Sequence, residues 1–131
     1  MAIKRILYIE QDEFDSMIFE KFIKKFFPEI DYYLTDSIAD GAVAFAENKF
    51  DLVLCNYLSE DGSVFDLFKI IKNKVPVVIV AGVEDKNYLS LTLTQMQYDY
   101  LIKPYDIDAF RNMILKNSGN SNQKGKLYPI N

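Results

Sequence analysis

Residues with chemistry to offer stand directly behind apolar runs in this chain. Glu10 ends Ile3 to Ile9 and opens the polar stretch Glu10-Gln11-Asp12-Glu13; Asn56 ends Leu52-Val53-Leu54-Cys55; Lys103, with Pro104 behind it, ends Tyr98 to Ile102. A short apolar run bounded by turn signals reads as a strand buried on both faces, and open parallel sheets bind their ligands at the carboxyl ends of such strands. A carboxylate, an amide and an ammonium group would therefore meet at one edge of the sheet. An amide there can donate and accept hydrogen bonds, but as a nucleophile it is far weaker than a carboxylate.

Absences narrow the chemistry further. The sequence has no histidine, which removes Ser-His-Asp and Cys-His nucleophiles, His-rich zinc sites and a phosphohistidine carrier. Neither G-x-G-x-x-G nor G-x-x-x-x-G-K-[ST] occurs among its five glycines. The lone cysteine, Cys55, reads as a small buried hydrophobe and fits a reducing cytoplasm. With 15 basic residues against 19 acidic, a net charge of −4 and no basic stripe, nucleic acid is not expected as a partner. Half of the 131 residues are apolar, yet no run is long enough to span a membrane and no signal peptide is visible, so one soluble domain is expected.

The elements that must position these residues follow from periodicity. After the first strand, Phe14, Ile18, Phe22 and Phe26, flanked by Met17, Phe19 and Ile23, form a helical stripe closed by Pro28. Core is the expected home of that stripe, with Phe19 or Phe27 as candidates for an outside contact. Asp31 to Thr35 reads as a strand, and Ser37 opens a helix to about Asn48 with Asp40 in a capping-box position and an apolar face of Ala42, Val43 and Ala46. Tyr57 to Ser63 reads as a loop, Val64 to Asn73 as a helix and Pro76 to Gly82 as a buried strand. Leu89, Leu91 and Leu93 alternate with polar residues like a strand, but a right-handed crossover between parallel strands calls for a helix there. Tyr98 to Ile102 is the fifth strand, and Asp106 caps a last helix, Ile107 to about Lys116. The pattern predicts an α/β domain over residues 1–116, a flavodoxin-like (βα)5 doubly wound five-stranded parallel sheet in the order 2-1-3-4-5, followed by a polar, flexible tail, 117–131.

At the strand ends the sequence resembles the receiver domain of two-component response regulators. The stretches that carry the resemblance are ILYIEQD, DLVLCNYLSEDGSVFDL, VPVVIVAG and DYLIKPYDIDAF, in order and at the right spacing. The resemblance implies a phosphorelay switch in which an acidic pair and a strand-three Asp hold Mg²⁺, that Asp accepts phosphate, and a Ser or Thr, an aromatic residue and a Lys-Pro pair respond. In this chain Glu10 falls on the first acidic position, Gln11 on the second, Asn56 on the phosphoacceptor and Ala81 on the Ser/Thr, while Tyr100, Lys103 and Pro104 keep the family type.

Those departures imply a pseudo-receiver, without enzymatic activity, that acts through protein contacts. An amide gives no stable acyl phosphate, and Mg²⁺ wants hard anionic oxygen, so binding of Mg²⁺ is expected to be weak or absent, with Glu10 and Asp12 only weak candidates as ligands. Asn56 and Gln11 read either as neutral hydrogen-bond partners of Lys103 and loop amides or, for Asn56 with Lys103, as a lock on one conformation of the switch. Asp12 and Asp61 read as loop and capping residues; an alternative reading has one of them accept phosphate instead. A receiver module of a hybrid kinase or larger regulator is a further alternative, while a flavin or small-ligand binder lacks the Ser/Thr-rich phosphate loop it would need. The expected partner is a histidine kinase or other signalling protein, or a second copy, docked on the face of the fourth helix, fifth strand and fifth helix through Tyr88, Tyr98, Tyr100, Tyr105 and Arg111.

Overall fold

The computed structural model describes residues 2–72, 74–87, 89 and 99–118. Its elements in chain order are β1 (Arg5–Ile9), α1 (Glu13–Phe26), β2 (Asp31–Thr35), α2 (Ile38–Glu47), β3 (Leu52–Asn56), the short strands β4 (Leu58–Ser59) and β5 (Gly62–Ser63), α3 (Val64–Ile71), β6 (Val77–Gly82), a single 3-10 turn (Val83–Asp85), β7 (Asp99–Lys103) and α4 (Ile107–Lys116). The helix expected around Leu91 and Leu93 lies outside the described residues, as do Tyr88, Tyr98 and residues 119–131. Helix α4 is thus the last helix of the sequence reading.

Five strands form one parallel sheet in the order β2-β1-β3-β6-β7, the doubly wound order read from the pattern. Successive side chains of a strand point to opposite faces, so a continuous apolar run feeds two cores. In β1, Ile6 and Tyr8 join Phe19, Ile23, Phe110 and Met113 under α1 and α4. Leu7 and Ile9 join Ile38, Ala44, Val64, Leu67 and Leu89 on the other face. The register carries both layers across the sheet: Leu7 lies beside Tyr33 and Val53, and Leu54 beside Val78.

Local signals set the helix ends. Asp12 caps α1 by accepting from the Phe14 and Asp15 N–H groups, Ser37 caps α2, Ser63 and Asp66 form a capping box on α3, and Asp106 caps α4. Each such cap stabilises its helix by about 1 kcal/mol.

Three expectations need correction. The aromatic stripe of α1 is not all core: Phe19 and Ile23 are buried, but Phe14 is 68% exposed, Met17 61% and Phe26 39%. A helix facing one sheet buries a limited arc, and the chain supplies more apolar residues than that arc holds. In α2 the buried face is Ile38, Gly41 and Ala44, with Val43 and Ala46 in solvent. Gly41 lets the helix approach β1 so closely that a Cβ there would clash with the Ile9 side chain. The segment Tyr57 to Ser63 is not a plain loop: β4 and β5 pair antiparallel, with Leu58 opposite Ser63. Gly62 turns this ribbon at φ +147, a conformation that L side chains rarely adopt.

Candidate functional site

The crevice lies at the carboxyl ends of β1, β3, β6 and β7, and the structure brings Glu10, Gln11, Asn56 and Lys103 to it. They do not form one cluster. Glu10 is almost fully buried, which a carboxylate tolerates only when paired and hydrogen-bonded. Its Oε1 accepts from the Tyr8 hydroxyl at 2.8 Å and pairs with Lys103 Nζ at 2.9 Å, and its Oε2 accepts from the Asp12 N–H at 3.2 Å. Lys103 Nζ also pairs with Asp15 Oδ2 at 2.7 Å. Burial alone would lower the Lys103 pKa, but Asp15 and Glu10 outweigh it and hold the ammonium above its ordinary range.

The amides form a separate, neutral group. Asn56 Nδ2 donates to Gln11 Oε1 at 3.3 Å and to the Leu58 carbonyl at 3.1 Å. Gln11 Nε2 donates to the same carbonyl at 2.7 Å. The β4-β5 ribbon places that carbonyl over the amides, and the ribbon is held to the body by Asp61, whose carboxylate accepts from the Ile38 and Ala39 N–H groups at 2.9 Å each. Those two bonds, with the Ser59 hydroxyl, hold the Asp61 carboxyl below its usual range. Neither amide is a hydrogen-bond partner of Lys103, so the expected Asn56 to Lys103 lock is replaced by Lys103 with Glu10 and Asp15.

Ala81 is buried among the apolar side chains of β6 and its neighbours and brings no hydroxyl to the crevice. Tyr100 packs against the same core. Cys55 is fully buried; burial first, then the Glu10 and Asp61 carboxylates, pushes its thiol pKa up and leaves it a protonated, inert group.

Of the residues expected on a partner face, Tyr105 is instead in the core, stacked on Phe110 with ring centroids 5.9 Å apart and close to Phe22 at 6.0 Å. Burial raises its pKa and that of Tyr8. Arg111 is turned towards α1: it pairs with Asp108 at 3.1 Å and lies 5.8 Å over the Phe26 ring. Pro104 follows a cis peptide bond and borders a groove along β7.

Two partners in the ionic group escaped sequence reading. Tyr8 carried a usable signal, because period two puts it on the face of Glu10. Asp15 carried a weaker one, its place in the first turn of a helix capped by Asp12.

Mg²⁺ asks for carboxylate oxygens free to bind it, and here the Glu10 oxygens are taken by Tyr8, Lys103 and the Asp12 N–H, while the neighbouring positions are neutral amides. Among the described residues no group of three His, Cys, Asp or Glu side chains is placed to hold a metal ion. No described helix is long and apolar enough to cross a membrane.

No family model matches the chain. The two-component response regulator ORR2 of Oryza sativa, in subspecies indica and japonica alike, is 31% identical over 77 residues, which are 55% of this chain and 31% of the rice protein. The chain thus spans about a third of the length of these curated relatives. Among solved structures, the signal receiver domain of a protein described as a Luxo repressor from Vibrio parahaemolyticus superposes with a TM-score of 0.79 at 17% identity, covering 97% of this chain and 98% of that one. A response regulator receiver domain from Clostridium thermocellum gives 0.69 at 21% identity, covering 86% and 95%. The receiver domain of a sensor histidine kinase from Pseudomonas aeruginosa, which has a magnesium ion coordinated in its active site cleft, gives 0.74 at 14% identity, covering 88% and 98%. The doubly wound sheet, its strand order and these superpositions agree that the chain has the fold of response regulator receiver domains.

Proposed function

We propose that this protein is a receiver-like signalling domain that works without phosphotransfer in its strand-end crevice and transmits its signal through contacts with other proteins. The observation that carries the reading is the engagement of Asn56, whose amide is tied to Gln11 and Leu58 at the end of β3, where the family resemblance puts the phosphoacceptor. An amide oxygen does not form a stable acyl phosphate, and Lys103, which would meet a phosphoryl oxygen, is held by Glu10 and Asp15. The buried alanine at position 81 has no hydroxyl to sense one.

The reading assigns the chain no reaction of its own and no bound Mg²⁺. Its partner would be a histidine kinase or another signalling protein, as a free domain or as the receiver module of a larger regulator, and a cytoplasmic setting fits its single reduced cysteine. Of the aromatic residues considered for a partner face, Tyr105 is in the core and Tyr100 is half-buried, while Tyr88 and Tyr98 lie outside the described residues.

The test is intact-mass measurement after incubation with acetyl phosphate and Mg²⁺. No phosphoryl adduct is expected. An adduct on the wild-type chain overturns the reading, and one mapped to Asp12 or Asp61 would establish a receiver that accepts phosphate on another carboxylate. Their present duties argue against that: Asp12 caps α1 and Asp61 holds the β4-β5 ribbon.

A further inference from the structure

Strand β2 is an edge of the sheet, with β1 on one side and no strand on the other among the described residues. The chain around it, Phe27 to Asp36, is described throughout. The Asp31 N–H donates to the Lys4 carbonyl at 2.9 Å and the Thr35 carbonyl accepts from the Glu10 N–H at 2.9 Å, so Asp31, Tyr33 and Thr35 turn their backbone groups to β1. Those of Tyr32 and Leu34 point to the open side, a template for another strand. Tyr33 stands in the middle of β2, 45% exposed, with its ring edge-on to Phe50 at 6.3 Å.

Helix α1 presents a stripe to the same side. Glu13, Met17, Glu20 and Lys24 recur at steps of three and four residues and so share a face. The Tyr32 hydroxyl donates to Glu20 Oε2 at 2.8 Å, and Lys24 lines a hollow with Ile30 and Asp31, which turns this face towards β2. Glu13, Met17 and Lys24 are exposed, and none of the described ion pairs takes up Glu13 or Lys24. Phe19 meets Tyr8 of β1 at 4.8 Å and Tyr32 of β2 at 5.6 Å, so α1 rides over that pair of strands.

Acid at one end of the stripe and base at the other match a second copy turned end for end. Glu13 of each copy then faces Lys24 of the other, about a midpoint that lies about 8 Å along α1 from Lys24. Tyr33 lies about 8 Å along β2 from the Ile30 and Asp31 that flank Lys24, so one twofold axis serves helix and strand alike. Through Tyr33 that axis sets Asp31 against Thr35, Tyr32 against Leu34 and Tyr33 against its own copy, with no like charges opposed. It brings the two α1 helices to about 10 Å from each other, the spacing of packed helices.

We infer that two copies of this chain pair through β2 and α1 about a single twofold axis, so that their five-stranded sheets run on as one. The outward N–H and C=O groups of Tyr32 and Leu34 bond across the seam, and Met17 is covered by the facing helix. This surface is at the opposite edge of the sheet from β7 and stands apart from the proposed signalling role.

Sedimentation velocity on the full chain tests it. Wild type should sediment as a dimer. Glu13→Lys and Lys24→Glu, both at exposed positions, each oppose like charges twice over and should weaken dimerisation about tenfold. A mixture of the two variants, in which every lysine again faces a glutamate, should dimerise as tightly as wild type. Wild type that stays monomeric at its highest soluble concentration, single variants that dimerise like wild type, or a mixture no tighter than its components each overturn the inference. Oxidation locates the axis, because antiparallel neighbours outside a hydrogen-bonded pair have Cα atoms about 4.5 Å apart, within disulfide reach. Tyr33→Cys should therefore link two copies covalently and Asp31→Cys should not, while the fully buried Cys55 stays out of the reaction. Failure of Tyr33→Cys to link, or linking through Asp31→Cys, overturns the pairing as well.

Discussion

The two halves of the strand-end crevice obey different physics. On the side of β1, α1 and β7, a buried carboxylate, a second carboxylate and one ammonium group hold each other within 2.9 Å. On the side of β3 and the β4-β5 ribbon, two amides and a carbonyl meet at 2.7 to 3.3 Å with no charge among them. A charged group buried with its partner is costly to strand, while a neutral amide near the surface can turn to water. The ionic half therefore acts as a cross-link between elements distant in sequence, and the neutral half as a lightly held lid. The position of Lys103 needs no phosphate to explain it: Glu10 and Asp15 are sufficient reason.

The largest effect should come from breaking the ionic half. Lys103→Met leaves Glu10 buried with the Tyr8 hydroxyl and one N–H but no counter-charge, and should destabilise the fold by about 3 kcal/mol, read as a shift of the urea midpoint at unchanged slope. Adding Glu10→Gln should recover part of that loss, because the stranded charge is gone. If Lys103→Met melts like wild type, the cross-link is idle and the contrast between the halves collapses.

Titration separates the halves without a large change in structure. The folded-state pKa of Lys103 is raised, as are those of Tyr8 and Tyr105, so the folded protein holds these protons more tightly than the unfolded chain does. The stability they contribute is present in full below the ordinary values of 10.5 for lysine and 10.0 for tyrosine, and is lost as pH rises through the raised ones. Urea melts should agree from neutrality to about pH 8, begin to weaken near pH 9 where the Cys55 thiol, also held protonated by burial, has its ordinary range, and weaken steeply above about pH 10. The alkaline loss should be shallower in Lys103→Met and unchanged in Gln11→Ala, since no amide titrates. An equal slope in all three proteins would contradict the assignment.

On the neutral side, Gln11→Ala removes one donor to the Leu58 carbonyl and the acceptor of Asn56, and should cost about 1 kcal/mol. Hydrogen exchange should rise in the β4-β5 ribbon and stay constant in β7. Enhanced exchange at β7 as well would mean that the halves are coupled after all.

How far the sequence announces this depends on the range of the interaction. Strand β3 was legible to the residue, because an apolar run ending in a polar amide is a local signal, and so were the Ser37 and Asp106 caps. The strand order followed from the alternation of strand and helix. Asp15 was not legible as a partner of Lys103, 88 residues away, because only the finished sheet brings them together. The ribbon has strands of two residues each, too short for any period, although Asp61-Gly62 marked its turn. Gly41 carried no such signal, since hydrophobic patterning counts side chains and cannot see a helix needing none to approach Ile9. The excess of aromatic residues in α1 hid Phe14 and Met17 as surface residues by making every arc of the helix look like core.

The smallest effect should fall on the residue that reads as the most conspicuous. Asn56→Ala removes both bonds donated by Nδ2, yet the Leu58 carbonyl keeps its shorter bond from Gln11, and the half-buried Gln11 oxygen can turn to water. No buried group is left stranded, so the cost should be about 0.5 kcal/mol, at the low end for a lost hydrogen bond. A loss of several kcal/mol would show that Asn56 is structurally central and that the neutral half is no mere lid. The expected small loss, set beside the large one for Lys103→Met, would mean that Asn56 is among the least constrained positions of the crevice, while Lys103 is held there by the fold.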